Sequence, residues 1–104
     1  SQHCAARFGT APQPTRLFEE WGFDAAGLVS QGASRIIFTN GLNDGWSAGG
    51  FLKNLTDTLV VYNMPNGAHH SDLSHSPASP LDTADVTQAR AEISALIGTW
   101  LKAL

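Results

Sequence analysis

The stretch that decides the fold is residues 35–67, RIIFTNGLNDGWSAGGFLKNLTDTLVVYNMPNG. Arg35-Ile36-Ile37-Phe38-Thr39 is a compact β-branched and aromatic run, and Asn40-Gly41 ends it. Thr58-Leu59-Val60-Val61-Tyr62-Asn63-Met64 is a second such run, and it stops at Pro65-Asn66-Gly67. Short apolar runs bounded by turn residues read as buried strands. About twenty residues separate them, too many for a two-residue hairpin. A crossover containing a short helix fits that length, and it predicts parallel pairing.

The flanking sequence completes the pattern. Residues 1–33 read as an irregular lead-in, with two prolines and a glycine in AARFGTAPQPTRL and one short helix around LFEEW. Residues 71–82 are rich in Ser, Pro and Asp and read as a loop. From about residue 84 a long helix closes the chain, with Asp82 or Thr83 as its cap. Val86, Ala89, Ile93, Leu96, Ile97, Trp100, Leu101 and Leu104 recur at helical spacing and are expected to pack. The expected division is therefore a lead-in of 1–33 and an α/β portion of 34–104. Two strands do not make a stable sheet by themselves, so these are expected to be the last strands of a larger parallel sheet.

Composition narrows the function. The 104 residues are 42% hydrophobic and 14% charged, with a net charge of −3. The six Lys and Arg are scattered, so no basic face for nucleic acid is expected. No apolar run approaches the roughly 20 residues of a membrane-spanning helix. The chain opens on Ser1 with no charged-then-apolar leader behind it, and it is expected to be processed, truncated or part of a larger assembly. The single cysteine, Cys4, is either inert or paired outside these residues. The sequon Asn54-Leu55-Thr56 leans toward the secretory route and marks Asn54 as a glycosylation candidate.

Two residues compete for the chemistry. GWSAG, residues 45–49, matches the G-x-S-x-G nucleophile elbow formally. An elbow joins strand to helix directly, however, and here several residues separate the strand end from Ser47. Asp44 suits another role. In open α/β sheets ligands bind beyond the carboxyl ends of the strands, and Asp44 follows the first strand as His69 follows the second. Parallel neighbours would deliver a carboxylate and an imidazole to one edge, the arrangement of a general base oriented by an acid. The order serine, acid, histidine places the nucleophile upstream of residue 1. Asn-Asp-Gly also makes good turn chemistry, so a purely structural Asp44 stays open at this point. The cluster His69-His70-Ser71-Asp72 with His75 has zinc-ligand chemistry, but it lacks the cysteines or helical His spacing of structural sites, and no metal is expected.

The same residues resemble a known family. Residues 36–50, IIFTNGLNDGWSAGG, are similar to the I-I-F-S-N-G-x-x-D-P-W-S-x-G-G motif of the proline-specific serine carboxypeptidases, a family that includes lysosomal Pro-Xaa carboxypeptidase and dipeptidyl peptidase II. Residues 53–60 continue the likeness, and Gly67-Ala68-His69-His70-Ser71-Asp72-Leu73 resembles the family's G-A-H-H-x-D-L signature. Cys4 and Phe8-Gly9 with the prolines behind them also resemble the family's stretch ahead of the strand.

The resemblance implies the C-terminal part of an α/β-hydrolase fold, namely its last two parallel strands and the closing helix. It implies that Asp44 and His69 are the acid and base of a Ser-Asp-His triad, and that Trp46 lines the pocket for the substrate proline. The serine would sit on an N-terminal segment or companion chain. Peptides containing proline would be the substrates, with no cofactor, in a lysosomal, vacuolar or secreted enzyme that is expected to form a homodimer. Gly45 replaces the family's usual proline and Ser74 a common arginine. An esterase sharing the same acid and base, or an inactive binding relative, are the alternatives.

Overall fold

A computed structural model describes residues 2–22, 24–74 and 79–104. The chain divides into two units, Ser1–Ala33 and Ser34–Leu104.

The first unit holds three short helices, α1 (Gln2–Phe8), α2 (Arg16–Trp21) and α3 (Ala25–Ser30). The sequence reading expected one helix in an otherwise irregular segment, so α1 and α3 are corrections to it. Local chemistry explains α3. Asp24 sits in extended backbone at its N-cap, and its Oδ1 accepts from the Gly27 amide at 2.6 Å, satisfying a donor that the helix leaves orphaned. Helix α2 ends because Gly22 turns left-handed at φ 58°, with its N–H bonded to the Phe18 carbonyl at 2.9 Å. Glycine enters that conformation without a Cβ clash.

The second unit carries the strands β1 (Ile36–Gly41) and β2 (Leu59–Met64), the 3-10 helix Gly45–Gly49 between them, and α4 (Ala84–Lys102). The strands pair in parallel, with Ile36 opposite Leu59 and Gly41 opposite Met64. Parallel pairing by a crossover with a short helix is thus as the spacing predicts, although β1 runs on through Asn40 and Gly41. Asn40 belongs inside the strand because its side chain is satisfied there. Its Nδ2 donates to the Phe51 carbonyl at 2.8 Å and to Asn63 Oδ1 at 3.0 Å, while Asn63 Nδ2 donates to the Leu52 carbonyl at 2.9 Å. These bonds tie the crossover back onto both strands. Phe51 also meets the ring of Phe38 edge-on, with centroids 5.0 Å apart.

The core lies between β2 and α4, where Met64, Val86 and Ala89 are buried and Tyr62 and Ile93 pack against them. The apolar stripe expected along α4 is buried only at its first turns. Ile97 is 43% exposed, Leu101 64% and Leu104 85%. Ile97, Trp100, Leu101 and Leu104 line a hollow shared with Arg35 and Ile37. Thr83 is the N-cap but makes no side-chain capping bond, and Asp82 is engaged elsewhere, as described below.

Met64 joins strand, helix and the loop that follows. Truncating a buried methionine removes packed surface and leaves a cavity. In the full-length protein, Met64→Ala should cost about 2–5 kcal/mol of stability, read as a lower urea midpoint. A midpoint that does not move would mean that α4 is not anchored through this residue.

Candidate active site

The parallel register places the loops after β1 and β2 side by side, and backbone bonds lock them together. The Leu42 amide donates to the Met64 carbonyl and the Asn43 amide to the Gly67 carbonyl, both at 3.0 Å. A Cβ on Gly41 would overlap the Ala68 carbonyl oxygen, so the close approach of the two loops requires glycine there.

On this platform Asp44 and His69 meet. His69 Nδ1 lies 2.6 Å from Asp44 Oδ2. The second carboxylate oxygen, Oδ1, accepts from the Trp46 amide at 3.1 Å, because Asp44 is also the N-cap of the 3-10 helix. The Asp44 side chain is 18% exposed and that of His69 57%. The hydrogen bond from His69, and then that from the Trp46 amide, hold the Asp44 carboxyl below its ordinary pKa. An ionised carboxylate is an acceptor only, so the Nδ1 facing it carries a proton. Neutral His69 therefore presents an unprotonated Nε2, which no described hydrogen bond engages, and that atom is available to accept a proton.

The turn after His69 is tightly built. His70 adopts a left-handed conformation, φ 55°, uncommon for a residue with a Cβ, and its ring meets that of His69 with centroids 3.8 Å apart. Ser71 Oγ accepts from the Ala68 amide at 2.8 Å. Ser74 Oγ donates to the His70 and Ser71 carbonyls, each at 3.0 Å. Arg90 of α4 reaches into the same turn, with its Nε 2.7 Å from the Asp72 carbonyl and its Nη2 2.8 Å from that of Ser71.

A cavity of about 210 Å³ opens over the pair, and Trp46, Ser47 and His70 also line it. Trp46 is 81% exposed, so its indole face is open to a ligand. Ser47 lies inside the 3-10 helix, and its described hydrogen bonds run through the backbone, from its amide to Asp44 and from the Gly50 amide to its carbonyl. No described bond joins it to His69.

The other candidates lie elsewhere. Cys4 is a free, half-exposed cysteine on α1, in the first unit. Asn54 is exposed, and its Oδ1 accepts from the Val61 amide at 2.7 Å, which ties the crossover to β2. His75 lies outside the described residues, and among those described no three His, Cys, Asp or Glu side chains cluster as metal ligands. No described helix is long and apolar enough to cross a membrane. Sequence reasoning missed Asn40, Asn63 and Arg90. Asn40 and Asn63 stand in register on neighbouring strands, a signal visible once the pairing is assumed, whereas Arg90 carries no local signal.

The fold and site define an α/β chain that presents an oriented carboxylate–imidazole pair at the carboxyl edge of parallel strands. The sequence places it more closely. Residues 2–93 match the family described as Serine carboxypeptidase S28. The chain is 37% identical over 101 residues to Lysosomal Pro-X carboxypeptidase of Bos taurus, covering 97% of this chain and 19% of that protein. It is 34% identical to the protein of that name from Homo sapiens, over 98% of this chain and 19% of the relative. Prolyl carboxy peptidase like protein 5 of Caenorhabditis elegans is 38% identical over 82 residues, covering 77% of this chain and 15% of that protein. The chain belongs to the serine carboxypeptidase S28 family, and it spans about a fifth of the length of the curated relatives it matches.

The electrostatics of the pair can be measured. Because folding lowers the Asp44 pKa, its ionised form contributes stability above the unfolded value, and that contribution is lost as pH falls through the lower folded value. Carboxyl carbon NMR should find Asp44 titrating below an unperturbed aspartate, and His69→Ala should raise that midpoint. An unmoved midpoint in the variant would mean that the contact does not govern the carboxylate.

Proposed function

We propose that this chain is the C-terminal portion of an α/β-hydrolase serine exopeptidase that cleaves peptides beside proline, and that it supplies the acid and base of the triad. The observation that carries the reading is the 2.6 Å hydrogen bond between His69 Nδ1 and Asp44, in a pair that lines a cavity. The names of the relatives favour the Pro-X carboxypeptidase type over a dipeptidyl peptidase.

In this reading the serine lies outside residues 1–104, on a segment or companion chain that packs against this one. Its hydroxyl attacks the scissile carbonyl while His69 Nε2 takes the proton. Asp44 holds the imidazole in the right tautomer and stabilises the imidazolium that forms. His69 then returns the proton to the leaving amine, and water repeats the sequence to release the acyl group. The exposed Trp46 offers a flat apolar face of suitable chemistry for a pyrrolidine ring. Names of the relatives support a lysosomal or secretory location. In that setting the same reading pairs Cys4 by a disulfide outside these residues and places a glycan on Asn54.

The test uses the full-length enzyme and peptides with a penultimate proline. Asp44→Asn should lower kcat by about 10⁴-fold, and His69→Ala by at least as much, with little change in KM. Retention of wild-type turnover by His69→Ala would remove the triad role. Faster cleavage of simple esters than of the peptides would assign the site to an esterase instead.

A further inference from the structure

We propose that Arg90 and Asp82 form a positioning pair for His69, acting through the turn that follows it; the proposal rests on the functional reading of His69 as the base. One guanidinium serves three acceptors from different parts of the chain. Nε and Nη2 donate to the carbonyls of Asp72 and Ser71, at 2.7 and 2.8 Å. Nη1 donates to Asp82 Oδ2 at 2.6 Å. The Asp82 side chain is only 3% exposed and that of Arg90 20%, so the two charges hold each other away from water. Removing either takes this close charge partner from the other in a largely water-excluded contact, which is costly. The same Oδ2 accepts from the Ser79 amide at 2.9 Å, which fixes the carboxylate and hence the plane of the guanidinium.

The two carbonyls follow His69 by two and three residues, inside a turn already closed on itself. The Ser71 amide donates to the Ala68 carbonyl at 3.2 Å and the Leu73 amide to that of His70 at 2.9 Å. Holding Ser71 and Asp72 therefore holds the backbone on which the imidazole is mounted. The arm has a firm base, since Ala89 beside Arg90 and Val86 one turn earlier are buried against Met64, the last residue of β2. Strand end, turn and helix thus make a closed triangle with the base at one corner. An error of about 1 Å at a reacting group costs on the order of 10²-fold in rate, so this bracing bears on turnover. A planar fork with fixed donor directions can hold two carbonyls and a carboxylate together, whereas an ammonium acts as a point charge.

The experiment compares Arg90→Met, Arg90→Lys, Leu59→Ala and His69→Ala in the full-length enzyme, with kcat and KM for a prolyl peptide and the urea midpoint as readouts. Arg90→Met should lower kcat about 10- to 100-fold while KM stays within about twofold, because the turn that moves carries the base, whereas Trp46, the proposed proline contact, lies in the other loop. Arg90→Lys keeps the charge for Asp82, folds, and should show the same split with a smaller loss. Leu59→Ala empties a fully buried position at the end of β2 away from the turn; it should lower the urea midpoint and leave kcat near the wild-type value.

Wild-type kcat in either Arg90 variant, with His69→Ala inactive, would overturn the positioning role alone. A kcat loss in Leu59→Ala equal to that in Arg90→Lys would also overturn it, by making the effect one of general stability. Activity in His69→Ala would overturn both this proposal and the functional reading beneath it.

Discussion

The parallel register of β1 and β2 is the constraint on which the site depends. It sets Gly41 opposite Met64, so the two strands end level and their loops leave the sheet edge together. Everything chemical follows from that shared exit. The loop amides bond across, Gly41 permits the contact with Ala68, and Asp44 and His69 are delivered within 2.6 Å of each other from positions 25 residues apart in sequence. In strands, side chains alternate between faces, so a one-residue slip would flip each one to the other side. Such a slip would also carry His69 past Asp44. The asparagine pair Asn40 and Asn63 guards against it, since its hydrogen bond forms only when those two residues stand opposite each other.

Polar bonds supply much of the order that a small apolar core does not. Among the described residues the buried hydrophobics are Leu59, Met64, Val86 and Ala89, and Ile36, Ile37 and Phe38 of β1 are only half-covered. The crossover is held by side-chain amides from Asn40, Asn63 and Asn54, each bonded to backbone or to one another. Such bonds are directional and specify one geometry, whereas apolar contact alone tolerates many.

Much of this was legible in the sequence because it was written in local pattern. The β-branched runs before Asn40-Gly41 and Pro65-Asn66-Gly67 mark both strands. The distance between them implies parallel pairing, and the rule that parallel strands present their loops at one edge brings Asp44 and His69 together before any coordinate is consulted. The long helix is equally plain from its 3.6-residue period. Helices α1 and α3 were not, since each is only a turn or two long and α3 depends on the single capping bond of Asp24. Periodicity also failed to say how much of α4 is covered: it marks which face is apolar, but not how closely Ile97 and Leu101 approach Ile37 across the hollow they share. Arg90 was unreadable for a different reason. Its partners are two backbone carbonyls and one aspartate from separate segments, and carbonyls leave no trace in residue identity.

If Asp44 and His69 serve a serine lying outside these residues, that serine will react with an active-site phosphonate. The full-length protein would be treated with a fluorophosphonate and the label located by peptide mass spectrometry. The account predicts a single labelled serine outside residues 1–104, with labelling lost in His69→Ala. Label on Ser47 would contradict it and make the glycine-flanked serine of the 3-10 helix the nucleophile.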